Sequence, residues 1–243
     1  MNFFKKLIAA TTGYWIYKLD MLPVGADLFV DISRKINYPE IQTVFDVGAN
    51  VGQTHHYFRY YLPAARIYCF EPITESFTQL QKATAADKNC CIEKMALGDT
   101  AGEKRIKVFE GDMGVLNSLN EHMMNQQQGA REEVIRIDTL DAYCREHGID
   151  TIDLLKIDTE GYEINVLKGA AHLLEQGRVS FVYCETGFQQ KNTRNTYFGD
   201  LNTFLNDKGY WFFGFYQTGY HDWIRGNGFS NALFVHPSVF PVS

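Results

Sequence analysis

The chain has 243 residues, enough for one large domain or two small ones. Hydrophobic residues make up 45% and charged residues 21%, the composition of an ordinary globular protein. A formal net charge of -6 excludes a nucleic-acid backbone as the main partner, because phosphate binding needs a basic surface. Five cysteines, an odd number with no CxxC spacing, argue against a disulfide scaffold or a zinc site. Cys69 and Cys184 lie in apolar runs as small hydrophobes, so the expected compartment is reducing and cytoplasmic.

The first residues, MNFFKKLIAATTGYWIYKL, carry two early lysines and a short apolar run broken by Thr11, Thr12 and Gly13. No small-residue cleavage pattern follows, and no apolar run reaches the roughly 18 residues of a spanning helix. The reading is an amphipathic helix that packs on the domain in preference to touching a membrane surface. Residues 1–40 are taken as a helical extension and 41–243 as the main domain. From residue 43, short apolar strands alternate with helical stretches. Strands are expected at 43–48, 66–72, 91–98, 152–158, 180–186, 210–216 and 231–237, and helices at 52–61, 74–86, 162–177 and 199–208. This alternation predicts an α/β fold, a mostly parallel sheet with helices on both faces. Two closing strands without a helix between them predict an antiparallel hairpin at one edge. Residues 99–134 interrupt the rhythm as an insertion.

In such sheets a ligand lies beyond the carboxyl ends of the strands. Nearly every predicted strand ends there in a carboxylate: Asp46, Glu71, Asp99, Asp158 and Glu185. The first turn, FDVGANVGQ (45–53), has Gly48 for a tight bend and Gly52 for close approach of a helix N-terminus to a ligand. Glu71 follows 19 residues after Gly52, where a carboxylate grips the hydroxyls of a ribose. The pattern D-x-G-x-x-x-G lacks the third glycine of a dinucleotide turn, and its leading acid opposes a pyrophosphate. A ligand with an ammonium group, a ribose and no phosphate suits it better, and S-adenosylmethionine is such a ligand. Its rival is NAD.

VFDVGANVG (44–52), FEP (70–72), ALGD (96–99), NSL (117–119), IDTLDAYC (137–144), LLKIDTEGYEINVLKGA (154–170) and NALFV (231–235) together resemble the FkbM family of S-adenosylmethionine-dependent methyltransferases. The resemblance spans roughly residues 40 to 237. It implies the seven-stranded class I methyltransferase fold, with Asp46, Gly48, Asn50 and Gly52 around the methionine moiety and Glu71 on the ribose. It puts Asp99 or its neighbours near the adenine. It further implies methylation of a hydroxyl on a sugar, glycan or natural product, a small-molecule or glycan acceptor being the expected partner.

Asp158 is the expected base for the hydroxyl proton, with Glu160 and Glu185 as alternates. Lys156, on the Asp158 face of its strand, is expected to pair with a carboxylate from a neighbouring strand and orient it. The competing reading makes Lys156, Asp158 and Glu160 a structural ion network at a helix N-terminus. Ser118, in NSL, either reaches the cofactor side of the crevice from the insertion or sits in a plain turn. No metal site is expected: His55 and His56 are adjacent and point to different faces, and a metal-assisted reaction would need a further ligand near Asp158. His221 and Asp222 sit in an aromatic loop, where Tyr220 or Trp223 is placed to stack on a sugar ring. Two rivals remain, an NAD-linked oxidoreductase and a non-catalytic sugar-binding protein on a methyltransferase fold.

Overall fold

The computed structural model describes residues 3–108, 131–190, 194–218 and 228–240. Seven strands form one sheet: β1 (Thr43–Val47), β2 (Arg66–Phe70), β3 (Cys90–Glu93), β7 (Ile152–Ile157), β8 (Val179–Gly187), β9 (Trp211–Tyr216) and β10 (Phe229–Val235). Their order is β3-β2-β1-β7-β8-β10-β9. The first five are parallel, and β10 runs antiparallel between β8 and β9. The chain starts in the middle of the sheet, builds outward through β2 and β3, then returns to the other side of β1. This is the class I methyltransferase arrangement, with the antiparallel hairpin at the edge. The strand order reverses between β1 and β7, and a crevice opens at that point.

Alternation along the strands divides the core into two layers. Phe45, Val47, Phe70, Leu155, Ile157 and Val182 face α5 (Leu140–His147), α6 (Glu163–Lys168), α7 (Ala171–Glu175) and α8 (Phe198–Asp207). Val44, Ile67, Cys69, Leu154, Phe181 and Tyr183 face the other side, with Phe29 of α2 (Leu28–Val30), Phe58 of α3 (Gln53–Tyr61) and Leu80 of α4 (Thr74–Thr84). By the same alternation, Asp46, Glu71, Lys156, Asp158 and Glu185 all belong to this second face.

Three expectations need revision. Residues 91–98 are two strands: β3 stays in the large sheet, whereas β4 (Ala96–Leu97) joins a second sheet in the order β4-β6-β5. The insertion supplies β5 (Gly102–Val108), which pairs antiparallel with β6 (Arg131–Asp138), and α5 follows. The helix expected at 162–177 is two short helices meeting at Gly169, where a Cβ would lie 1.9 Å from the carbonyl oxygen of Gly98. The chain passes too closely there for any side chain.

The N-terminal helix forms, as α1 (Phe3–Thr12), but it does not pack into the core. No residue from Phe4 to Asp27 is buried; the first buried side chain is Leu28. The sheet face nearest in sequence is already covered by Leu28, Phe29, Ile32 and Ile36 together with α3 and α4. No helix among the described residues is long and apolar enough to cross a membrane.

Candidate active site

The crevice at the carboxyl edge is lined by Gly48, Asn50, Phe70, Glu71, Ile73, Ala96, Leu97, Ile106, Lys156, Asp158 and Glu160, among others. Its floor is the junction of β1 with β7. The Asp158 amide donates to the Val47 carbonyl at 3.0 Å. Gly48 takes φ +82°, and a Cβ there would stand 1.9 Å from the Asp158 carbonyl oxygen. Only glycine fits, for backbone conformation and for space. Asn50 also has positive φ, at 49°, and its amide turns to donate to Glu71 Oε2 at 3.0 Å.

Glu71, at the end of β2, is buried, and its other oxygen accepts from the Ile73 amide at 2.8 Å. Burial pushes its pKa up to about 7, against the pull of these two amides. Each carboxylate oxygen retains a lone pair for a further donor. Beyond Glu71 the wall turns apolar through Ile73, Ala96, Leu97 and Ile106, the last contributed by the small sheet. Asp99 lies outside the lining and accepts from Asn165 Nδ2 at 3.3 Å; its neighbours Ala96 and Leu97 are the ones that reach the crevice.

Two more residues of the first turn sit behind the crevice. Gly52 has φ +94° and lies outside the crevice lining; a Cβ there would meet Leu80 and Ala83 at 3.2 and 3.3 Å, so its smallness serves packing against α4. Asp46 is fully buried, neither of its oxygens has a hydrogen-bond partner among the described residues, and the nearest cation among them is Lys156 Nζ at 3.6 Å. It therefore touches Lys156 and not the crevice. Burial raises its pKa while Lys156 opposes the rise. Register explains the contact, since Asp46 and Lys156 are directly paired across β1 and β7.

Lys156 is itself buried and donates to Asp158 Oδ2 at 3.0 Å. Burial alone would lower its pKa, but the carboxylates of Asp158 and Asp46 outweigh it and hold the ammonium firmly protonated. Asp158 keeps 35% of its side chain exposed at the crevice.

Glu160 and Glu185 approach Asp158 closely enough that one oxygen from each of the three lies within 4.8 Å of the others. Both acids were named from sequence as alternates for the base, and each already has a partner. Arg194 forks onto Glu160, Nε to Oε2 at 2.8 Å and a terminal nitrogen to Oε1 at 3.3 Å. Asn195 Nδ2 donates to Glu185 Oε2 at 2.6 Å. Glu185 is buried beside like charges, and burial first, then Asp158, Glu160 and Glu163, push its pKa up to about 9. The shift favours the protonated form of Glu185. A second cluster, His55, Asp87 and Cys90, lies away from the crevice lining, and there Arg59 Nε donates to Asp87 at 2.8 Å. His55 is buried and His56 exposed, as adjacent helical positions demand.

The turn between β7 and α6 is fastened by Glu163, which is fully buried. Its Oε1 accepts from the Thr159 amide and hydroxyl and from the Gly161 amide, at 2.9, 3.1 and 3.1 Å. Its Oε2 accepts from the Thr196 amide at 3.3 Å and from the Thr196 hydroxyl. Glu160 is held at φ +51° within this knot. Sequence reading did not single out Arg194, Asn195 or Thr196, because a polar stretch such as KNTRNTYF has neither periodicity nor spacing to mark it. Ser118 and the aromatic loop with Tyr220, His221, Asp222 and Trp223 lie outside the described residues.

Residues 46–212 match the family model described as the methyltransferase FkbM domain. The chain is similar to "2-O-methyltransferase NoeI" of Sinorhizobium fredii, 26% identical over 157 residues, 60% of this chain and 64% of that one. It is also similar to "Methyltransferase sdnD" of Sordaria araneosa, 27% identical over 184 residues, 64% of this chain and 71% of that one. Among solved structures, the N-methyltransferase NodS of Bradyrhizobium japonicum in complex with S-adenosylhomocysteine aligns with a TM-score of 0.47 at 8% identity, over 86% of this chain and 84% of that one.

Proposed function

The chain belongs to the methyltransferase FkbM family, and on that premise we propose that it transfers a methyl group from S-adenosylmethionine to a hydroxyl of a sugar, glycan or glycosylated small molecule. The crevice fits that donor on three counts. Glu71 offers a carboxylate with lone pairs to spare for ribose hydroxyls. Ile73, Leu97 and Ile106 give an apolar wall for a purine. Gly48 packs against the Asp158 carbonyl, so the turn is closed by its own chain and makes no cradle for a pyrophosphate. The last feature weighs against NAD.

When bound, S-adenosylmethionine supplies an electrophilic methyl group carried on a sulfonium. The protein's task is to hold an acceptor hydroxyl in line and take its proton. Asp158 suits that task, and one observation carries the assignment: it is the partly exposed member of a buried Asp46–Lys156–Asp158 chain. Lys156 occupies Oδ2, which leaves Oδ1 to accept the hydroxyl proton. Glu185, protonated at neutral pH, is suited to donate a hydrogen bond to a neighbouring acceptor oxygen. Glu160, braced by Arg194, offers its remaining lone pairs to other hydroxyls. The similarity to NoeI, named as a 2-O-methyltransferase, supports the choice of a hydroxyl.

The test combines binding with turnover. S-adenosylhomocysteine should raise the melting temperature and NAD should not. Labelled methyl from S-adenosylmethionine should then appear on a hydroxyl within a panel of free and lipid-linked saccharides. Stabilisation by NAD alone would overturn the donor. Binding of S-adenosylhomocysteine with label found only on nitrogen or carbon acceptors would overturn the hydroxyl.

A further inference from the structure

We propose that the segment from Phe4 to Val24 is a docking surface for an anionic lipid bilayer. The first observation is the burial profile. From Phe4 to Asp27 no side chain is buried, yet the stretch holds Phe4, Leu7, Tyr14, Trp15, Ile16, Tyr17, Leu19, Met21 and Val24, all of them exposed. Phe4, Tyr14 and Met21 stand at 69, 73 and 69% exposure and Trp15 at 57%. Nine of the fourteen exposed large hydrophobic side chains among the described residues fall within these 21 positions. Scattered apolar side chains on a surface need no explanation; a contiguous unburied run marks a contact site.

The second observation is charge. Lys5, Lys6 and Lys18 fall in this stretch, and no acid occurs before Asp20. Asp20 is tied to Arg34 at 2.9 Å, while none of the three lysines makes an ion pair among the described residues. A chain of net charge -6 thus carries a local basic, aromatic end. Charge decides between occupants. A second copy seated on this surface would bring three more lysines against the first three, which repel. A bilayer with anionic headgroups pairs with them.

The third observation is the kind of side chain. α1 sets Phe4, Leu7 and Ile8 at spacings of three and four, one face of a short helix. The turn after it then presents Tyr14, Trp15 and Tyr17, the aromatic types whose apolar body and polar tip suit the headgroup level. The helix has ten residues, too few to span, so it lies along the surface with its apolar side a few ångströms into the headgroup boundary. The crevice residues take no part, so this inference stands apart from the methyl-transfer reading.

The test is co-sedimentation of the full chain with vesicles of phosphatidylcholine alone and of phosphatidylcholine mixed with phosphatidylglycerol. The chain should bind the mixed vesicles and scarcely the neutral ones, and added salt should weaken binding. Lys5→Gln with Lys6→Gln should lower the partition coefficient by roughly tenfold or more. Trp15→Ser with Tyr17→Ser should do the same. Both variants should melt with the unchanged chain, because no altered side chain is buried, and this separates lost docking from lost folding. Equal binding to both vesicle types, binding to neither, or indifference to the lysine changes would overturn the proposal. So would a concentration-dependent dimer, seen by sedimentation without lipid and abolished by the Trp15 and Tyr17 changes, since a second copy would then be the occupant.

Discussion

At the scale of single residues, the buried charges separate into those that hold the fold and those suited to act. Asp158 is partly exposed and shares its proton-accepting side with the crevice, so Asp158→Asn keeps its shape and loses only the basic oxygen. Turnover should fall by ~10²–10⁴-fold, with affinity for S-adenosylhomocysteine and the melting temperature preserved. A variant that melts early instead would assign Asp158 to structure. Lys156 should behave in the opposite way. Lys156→Ala strands Asp46, which has no other partner among the described residues, and breaking a buried pair from one side costs about 3–5 kcal/mol. Adding Asp46→Asn removes the stranded charge and should recover much of that loss, which a denaturant midpoint would show. Glu185 gives a prediction in pH. Its carboxyl titrates near 4.5 in the unfolded chain and is pushed to about 9 in the folded one. The folded protein therefore holds a proton the unfolded chain releases, and this contribution to stability is complete below pH 4.5 and lost as pH rises toward 9. Glu185→Gln should match the unchanged chain in stability near pH 4 and exceed it at pH 8. Parallel melting curves across that range would expose a wrong sign.

At the scale of elements, what could be read from the sequence was set by periodicity. The buried parallel strands are near-continuous apolar runs, which is why TVFDV, RIYCF, IDLLKI and VSFVYCETG stood out. The small sheet did not stand out. β6 reads REEVIRID, with only two of its first six residues buried or half-buried, so its pattern looks like loop. The helix after it carried a signal that was there to find. Thr139 accepts from the Ala142 amide at 3.1 Å as an N-cap, and Gly148 closes the other end in the left-handed region. For the candidate site, the acids at strand ends were legible because their positions follow from strand alternation. Which of them face the crevice was not, because that depends on neighbours brought by other elements: Asp46 meets Lys156 across β1 and β7, and Asp99 meets Asn165 of α6. One element-level prediction concerns the β1 turn. Gly48→Ala would force a residue at φ +82° and drive its Cβ into the Asp158 carbonyl. It should destabilise by at least ~1–3 kcal/mol and weaken S-adenosylhomocysteine binding, readable in one titration followed by melting. Full stability with full binding would mean that β1 and β7 are not held this closely.

At the scale of the whole molecule, the crevice is built from two sheets. Val47, Gly48, Phe70 and Asp158 come from the large sheet and its turns, whereas Ile106 comes from the small one. A ligand that touches both should couple them. Hydrogen exchange with S-adenosylhomocysteine present should slow at 102–108 as well as at 47–54, because opening either sheet then loses the same bound molecule. Protection confined to 47–54 would place the ligand on the large sheet alone.

The close contact of Gly48 with Asp158 also bears on how such a protein changes over generations. The donor-side turn and the proposed base are anchored to one pair of adjoining strands, so their spacing is inherited as a single piece. Around them, Glu160 and Glu185 take their bearings from Arg194 and Asn195, which sit on a connecting loop. If the proposed roles hold, exchanging that loop should alter which hydroxyls are met and leave the reacting distance alone. On the proposed reading, acceptor preference and methyl transfer thus rest on separate parts of the fold.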